Sequence, residues 1–181
     1  MSDFQKAWAI TLKHEGGFQR LPNDKGNWTG GKIGVGELKG TKYGISATQF
    51  PDLDIENLTV EEAGNIYLEK YWQYNEVESQ AIADKMFDLG VLFGVATAVS
   101  VMQLTLQANE PQQPITGKFG PITLGNVNSQ DETSLLASYK ANMLTHAFNV
   151  IAKNPAERPF IGNWGNRINC EDDNRCRVCA A

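Results

Sequence analysis

Glu15 is the residue of this chain best placed for acid–base chemistry. An apolar stripe at three- and four-residue steps precedes it, made of Phe4, Trp8 and Leu12. The stripe predicts a helix that begins near Ser2 or Asp3 and ends at Glu15, directly before the Gly16-Gly17 stop. We expect the carboxyl of Glu15 to be partly buried at the negative end of the helix dipole. Both effects favour the protonated form of a carboxyl, which can donate a proton near neutral pH.

A second carboxylate and a hydroxyl follow Glu15 in the next part of the chain. Asp24 lies in the sequence Pro-Asn-Asp-Lys-Gly over residues 22–26, and Thr41 lies in Gly-Thr-Lys-Tyr-Gly-Ile over residues 40–45. Glycoside hydrolysis uses such a carboxyl pair: one protonates the leaving oxygen, while the other stabilises the oxocarbenium-like centre or activates water. Asp24 is equally interpretable as a turn residue, because Asn-Asp before Gly is common turn chemistry.

Glycine dominates the segment that must position Asp24 and Thr41. Residues 16–44 hold nine of the 17 glycines, a composition that favours tight turns and short hairpins. Helical patterns return after Pro51, with a capping box from Thr59 to Glu62. Helices are predicted over about 59–72, 80–92, 96–109 and 132–153, with a short one after Pro121. The fold class is therefore mainly α, with a small glycine-rich β-hairpin segment near the N-terminus.

Composition excludes several classes of function. The net charge is −5 and the chain has no basic cluster, which argues against nucleic acid as a partner. The longest apolar stretch, residues 91–106, is interrupted by polar residues and is too short to span a bilayer. The N-terminus shows no basic start, apolar run or cleavage site, so we expect cytoplasmic synthesis without a signal peptide.

Three cysteines fall near the C-terminus, at positions 170, 176 and 179. One C-x-x-C without a second pair is weak evidence for zinc, so we expect no metal there. Reduced thiols, or a single disulfide formed in an oxidising compartment, are the favoured interpretation. Asp88, placed mid-helix beside Phe87, is interpreted as a structural residue rather than a catalytic one.

Several motifs in order resemble glycoside hydrolase family 108, the lysozyme-like muramidases that include phage endolysins and secretion activator proteins. The sequence His-Glu-Gly-Gly-Phe over residues 14–18 resembles the family's Glu-Gly-Gly-aromatic motif, and residues 40–45 resemble its Thr-x-x-Gly-Ile element. Further matches are Glu61-Glu62-Ala63 with Tyr71-Trp72, and Phe87-Asp88-x-Gly90. Residues 117–124 and 160–167 resemble the associated peptidoglycan-binding region.

The resemblance implies a lysozyme-like helical fold, with a glycosidase lobe over residues 1–92 and a peptidoglycan-binding lobe over 93–181, packed together. It implies cleavage of the β-1,4 bond between N-acetylmuramic acid and N-acetylglucosamine, with Glu15 as proton donor and Asp24 assisting the attack of water. The partner would be peptidoglycan glycan strands, the protein would be a monomer, and no cofactor is needed. Holin-type release, dedicated export or lysis would bring it to the wall. The alternative is a non-catalytic wall-binding or secretion-assisting module.

One departure from the family pattern leaves two assignments open. The chain inserts residues 27–40, where typical members are shorter. Thr29 therefore competes with Thr41 for the hydroxyl role, and Glu37 competes with Asp24 for the second carboxylate. We favour Thr41, because Tyr-Gly-Ile follows it as in the family, and Asp24, because a loop glutamate is usually solvated. Two aromatic residues of the same glycine-rich segment are candidates for stacking on sugar rings, namely Trp28 and Tyr43.

Overall fold

The computed structural model describes residues 1–170 of the chain. It contains two compact units, one formed by Thr11–Lys70 and the other by Met1–Ile10 together with the chain from Tyr71 onward. These bounds differ from the expected division after residue 92, because the first helix groups with the later helices. The functional assignment of two lobes stays a prediction. Cys176 and Cys179 lie outside the described residues.

Helices make up most of the described chain outside Thr11–Lys70, which confirms the mainly α class, whereas the Thr11–Lys70 unit consists mostly of turns and loops. The helices are α1 (Phe4–Thr11), α2 (Val60–Tyr71), α3 (Gln80–Phe93), α4 (Val95–Leu106), α5 (Pro121–Asn128), α6 (Glu132–Lys153) and α7 (Ile161–Asn169). Strands β1 (Thr41–Lys42) and β2 (Ile45–Ser46) form one antiparallel hairpin, and two 3-10 turns cover Lys25–Asn27 and Pro155–Phe160. In residues 1–170, no helix combines the length and the apolar character that crossing a bilayer requires.

The helices predicted after Pro51 are present, and their caps explain where they begin. Thr59 and Glu62 form the predicted capping box: the Thr59 N–H donates to Glu62 Oε2 over 2.8 Å, and the Glu62 N–H donates to Thr59 Oγ1 over 3.2 Å. Asp131 caps α6 by accepting from the Ser134 N–H over 2.9 Å. Helix α7, in contrast, was not predicted, because glycine, asparagine and proline weaken the helical pattern around it.

The prediction that the first helix ends at Glu15 is wrong. Helix α1 ends at Thr11, and the next N–H groups close tighter turns: His14 donates to the Thr11 carbonyl over 2.9 Å, and Glu15 donates to the Leu12 carbonyl over 3.2 Å. The Gly16 carbonyl then accepts from the Tyr43 N–H over 3.0 Å, a contact that a continuing helix would forbid. Glu15 therefore lies in a turn beyond the helix, and the helix-dipole argument for it loses its basis.

Aromatic edge-to-face packing forms part of the core of the helical unit. The Phe4 ring lies 5.6 Å from the Trp72 ring and 5.5 Å from the Phe87 ring, both at steep interplanar angles. Trp72 in turn contacts Tyr74 at 5.6 Å. Such pairs add stabilisation beyond the burial of their area. The predicted apolar face of α1 is thereby confirmed at Phe4 and Trp8, which are both buried.

A buried ion pair joins α3 to α7. Asp88 is 1% exposed, and its Oδ1 accepts from Arg167 Nε over 3.0 Å and lies 2.9 Å from Arg167 Nη2. The backbone carbonyl of Arg167 also accepts from Lys85 Nζ over 2.9 Å. Asp88 thus has the structural role interpreted from the sequence, although its partner is a distant helix rather than a neighbouring loop.

We expect Arg167→Met to lower the free energy of unfolding by about 3 kcal/mol, because it leaves the Asp88 carboxylate buried without its guanidinium partner. Urea unfolding measures the change. Replacing both partners, as Asp88→Leu with Arg167→Met, restores most of the loss. The exposed Arg158→Met serves as control and changes stability by less than about 0.5 kcal/mol. A single Arg167→Met variant as stable as the unmutated protein would contradict the structural role of the pair.

Candidate active site

The loop between β1 and β2 is a two-residue turn with an unusual backbone. Tyr43 and Gly44 have φ angles of 51° and 73°, which is the pattern of a type I′ hairpin turn. Lys42 pairs with Ile45 on either side of it. A left-handed backbone costs about 1 to 2 kcal/mol at a residue with a side chain. The surrounding structure must therefore hold Tyr43 in place.

Two hydrogen bonds hold the strained residue from opposite sides. The Tyr43 N–H donates to the Gly16 carbonyl over 3.0 Å, and the Tyr43 carbonyl accepts from the Tyr67 hydroxyl over 2.9 Å. Tyr67 belongs to α2 and is only 4% exposed. The Lys42 ammonium also lies 5.4 Å from the centre of the Tyr43 ring. The turn is thus tied both to the segment that follows Glu15 and to a helix.

The carboxylate of Glu15 lies directly against this turn. A Cβ atom on Gly44 would be 2.5 Å from Glu15 Oε2 and 2.4 Å from the Tyr67 hydroxyl oxygen. Only glycine fits there. The Glu15 Oε2 and Tyr67 hydroxyl oxygens also lie near each other, because both are this close to the same point. Glu15 is half-buried, whereas Gly44 is exposed. The structure therefore fixes a carboxyl group beside an open stretch of backbone, as a general acid requires.

Asp24 has the capping role that its turn-like sequence indicates. Its Oδ1 accepts from the Gly26 N–H over 2.8 Å at the start of the 3-10 turn Lys25–Asn27, and its side chain is half-buried. This bond fixes the orientation of the carboxylate and leaves its second oxygen for other contacts. A catalytic role for Asp24 stays a prediction.

The Thr41 hydroxyl is tied to Asn27, which sequence reasoning did not single out. Thr41 Oγ1 donates to Asn27 Oδ1 over 2.7 Å, and Asn27 Nδ2 donates to the Leu21 carbonyl over 3.2 Å. The Asn27 carbonyl accepts from the Lys39 and Gly40 N–H groups, each over 3.0 Å. Asn27 is fully buried and connects three stretches of the glycine-rich segment. Because Asn after Gly normally indicates a surface turn, no sequence signal marked it.

The competing residues Thr29 and Glu37 hold a loop together. Thr29 Oγ1 accepts from the Glu37 N–H over 2.9 Å, and their backbones form a second bond of 2.9 Å. The Glu37 side chain is 76% exposed and lies 3.6 Å from the Lys39 ammonium. Trp28 is half-buried and donates its indole N–H to the Pro22 carbonyl over 2.9 Å. This bond anchors the Trp28 ring beside the segment that contains Asp24.

The described residues show no site for a metal ion. Within residues 1–170, no three His, Cys, Asp or Glu side chains gather closely enough to hold one.

Residues 8–94 match the family described as Glycosyl hydrolase 108. The match covers a little under half of the chain.

Comparison with known proteins also identifies the class of fold. No curated protein matches the chain in sequence. Among solved structures, the chain is similar to SagA of Brucella abortus, with 22% identity over 91% of this chain and 92% of that chain and a TM-score of 0.57. At this identity the likeness concerns the fold, and it confirms the predicted lysozyme-like helical class with its small hairpin.

All five predicted site residues fall inside the glycosyl hydrolase 108 segment, at positions 15, 24, 28, 41 and 43. The structure brings Glu15 and Tyr43 together through the Gly44 turn, and it adds Tyr67 beside them. Sequence analysis did not single out Tyr67, which lies in α2 and is only 4% exposed. Its hydroxyl contact could not be derived from periodicity.

We expect Gly44→Ala to destabilise the glycosyl hydrolase 108 segment by about 2 kcal/mol or more, because the new methyl group collides with the Glu15 and Tyr67 oxygens. Gly34→Ala is the matched control: Gly34 has a φ of 79°, but a Cβ there meets nothing within 4 Å. Gly34→Ala should lower the free energy of unfolding by about 1 kcal/mol, through backbone strain alone. Equal losses in urea unfolding would mean that the Glu15 carboxylate is not held against Gly44.

Proposed function

We propose that this protein is an N-acetylmuramidase that hydrolyses the β-1,4 bond between N-acetylmuramic acid and N-acetylglucosamine in peptidoglycan. The family match supports glycoside hydrolysis as the class of reaction. The observation that carries the proposal is the Glu15 carboxylate, half-buried and fixed against the exposed Gly44 backbone. A glycan strand lying along this turn would present its bridging oxygen to a positioned acid.

In the proposed mechanism, Glu15 donates its proton to the glycosidic oxygen while the bond between that oxygen and the anomeric carbon breaks. The sugar ring develops positive charge, which the Asp24 carboxylate stabilises while it takes a proton from the attacking water. Hydroxide adds to the anomeric carbon, so each product ends in a hydroxyl group. The Gly26 N–H fixes one oxygen of Asp24, and the other serves this step.

Substrate binding would depend on close contacts. Peptidoglycan is anionic and the protein has a net charge of −5, so long-range attraction does not assist the encounter. Tyr43 and Trp28 supply rings that stack on sugars. The bond from the indole N–H to the Pro22 carbonyl holds the Trp28 ring, and the bond from Tyr67 holds the backbone of Tyr43.

We expect Glu15→Gln to reduce the release of reducing sugar ends from purified sacculi by at least about a hundredfold, because the amide keeps the shape of the side chain but has no acidic proton. Glu69→Gln, at an exposed glutamate of the same unit, is the control and keeps the rate within about twofold.

Mass spectrometry of the products completes this experiment. The proposal requires a reducing muramic end in the digest of the unmutated protein. A 1,6-anhydro product would indicate a lytic transglycosylase, and a cleaved peptide would indicate an amidase. An unchanged rate for Glu15→Gln would remove Glu15 from the mechanism.

Asp24→Asn separates catalysis from capping at that position. Asparagine caps as well as aspartate does, so stability should change by less than about 0.5 kcal/mol, while loss of the negative charge should lower the hydrolysis rate at least about tenfold. Asp24→Ala should in addition lower the free energy of unfolding by about 1 kcal/mol. Full activity of Asp24→Asn would show that the residue is a cap alone.

A second candidate function is a module that binds wall glycan without cutting it. One observation favours it: in the helical unit, the Phe160 ring stacks on Trp164 at 6.3 Å with an interplanar angle of 19°, and Phe160 is 49% exposed. Exposed aromatic faces of this kind suit sugar rings. In that case the unmutated protein and Glu15→Gln would sediment equally with sacculi, and neither would release sugar ends.

A further inference from the structure

A pocket of about 380 Å³ lies in the helical unit, lined by the chain that follows α2 and by the start of α5. Its volume falls within the roughly 300 to 1,000 Å³ of common small-molecule sites. Part of the lining is apolar and comes from Phe119, Pro121 and Leu124. None of the lining residues belongs to the Thr11–Lys70 unit that contains Glu15.

Phe119 contributes an aromatic ring to this pocket, and packing fixes its position. The ring is half-buried and meets the fully buried Tyr74 edge to face, with 5.1 Å between the ring centres. A ring that is held before a ligand arrives loses little conformational entropy when the ligand binds. Phe119 is therefore ready to stack on a ligand.

A buried amide fixes the chain on both sides of Phe119. Gln103 is 1% exposed, and its Oε1 accepts from the Gly117 N–H over 3.0 Å. Its Nε2 donates to the Lys118 carbonyl and to Thr123 Oγ1, each over 3.0 Å. Such a buried network favours a single conformation of the loop that it joins. The protein's own core thus sets the position of this loop.

The polar part of the lining consists of two side-chain amides and a carboxylate, from Gln73, Asn75 and Glu76. Asn75 Oδ1 accepts from the Trp72 indole N–H over 2.6 Å, so the NH2 end of this amide is the one that can donate to a ligand. Backbone bonds hold this stretch: the Asn75 carbonyl accepts from the Ser2 N–H, and the Glu76 carbonyl accepts from Asn128 Nδ2, each over 3.1 Å. Both sides of the pocket are therefore fixed.

The chemistry of the lining favours a neutral ligand with hydroxyl groups. Among the described residues that line the pocket, Glu76 alone is charged, and its carboxylate accepts from hydroxyls but repels anions. An aromatic ring suits the C–H face of a pyranose. Pro121 and Leu124 extend the apolar part beyond this ring, which suits a methyl group attached to the sugar.

We propose that this pocket binds an N-acetylhexosamine unit of a glycan, as a site separate from the Glu15 carboxylate. The pyranose stacks on Phe119, and the acetamido methyl contacts Pro121 and Leu124. The acetamido carbonyl accepts from Asn75, while a hydroxyl donates to Glu76. Such a site retains a glycan on the protein whether or not Glu15 cleaves it.

The probe is chitotriose, the β-1,4-linked trimer of N-acetylglucosamine. It is titrated into the full chain carrying Glu15→Gln, so that hydrolysis cannot consume it. We expect saturable NMR shifts that include residues 73–76 and 119–124. Cellotriose, which has hydroxyls in place of the acetamido groups, should bind about tenfold more weakly, because it lacks one hydrogen bond and one buried methyl group.

Three variants test the residues. Phe119→Leu keeps an apolar side chain against Tyr74 but removes the aromatic face, and it should weaken binding roughly threefold to tenfold. Phe148→Leu, at a 61% exposed phenylalanine of α6, is the matched control and leaves binding unchanged. Asn75→Asp keeps the acceptor for the Trp72 indole but removes the NH2 donor, so it should weaken binding about tenfold. This variant carries the test should Phe119→Leu fail to fold.

A second titration distinguishes two sources of the sugar. Binding of a disaccharide of N-acetylglucosamine and N-acetylmuramic acid, with its peptide attached, would indicate a wall strand. Binding of chitotriose alone would indicate a chitin-type chain, and either result supports an N-acetylhexosamine site.

Four results would overturn the proposal: absence of saturable binding, equal binding of cellotriose, tighter binding of the deacetylated and cationic trimer, or shifts that leave residues 73–76 and 119–124 unaffected. The hydrolysis experiment with Glu15→Gln succeeds or fails separately, because the lining of this pocket lies outside the unit that contains Glu15.

Discussion

The hydrogen bond from the Tyr67 hydroxyl to the Tyr43 carbonyl is the contact on which the candidate site depends. This bond holds Tyr43 in the left-handed region. It thereby keeps Gly44 where the Glu15 carboxylate can approach the backbone. The cost of the turn, about 1 to 2 kcal/mol, is offset by this bond and by the Tyr43 N–H bond to Gly16. Local strain in the candidate site is thereby stabilised by a buried helix residue.

The sequence predicted features that depend on neighbours along the chain. Helices α2, α3, α4 and α6 carry apolar periodicity, and the Thr59–Glu62 capping box marks a beginning that local hydrogen bonds dictate. The motif around Glu15 also singled out the carboxyl group that the structure places against Gly44. Contacts between distant segments could not be predicted from the sequence. Examples are the bond from the Tyr43 N–H to the Gly16 carbonyl and the burial of Asn27, on which three stretches of the loop converge. The bond from the Tyr67 hydroxyl to the Tyr43 carbonyl is a further contact of this kind, because helical periodicity does not indicate what a hydroxyl binds.

The glycine-rich segment is more ordered than its composition suggests. Asp24, Thr29 and Thr41 each commit a side-chain oxygen to a neighbouring loop group, so the polar residues predicted for catalysis also hold the loops together. A general base or water-positioning group needs a defined orientation, and these bonds provide one. Capping and catalysis are therefore compatible at Asp24, because a carboxylate has acceptor capacity beyond the single bond to Gly26.

The glycine at position 44 restricts how the acidity of this site can be altered. Because Glu15 Oε2 meets a bare Cα there, no side chain at position 44 fits next to the carboxylate. Tyr67, the other group that meets Gly44, is carried by α2. Selection or protein engineering that changes the surroundings of the Glu15 carboxylate at this point must therefore act through the helix rather than through position 44.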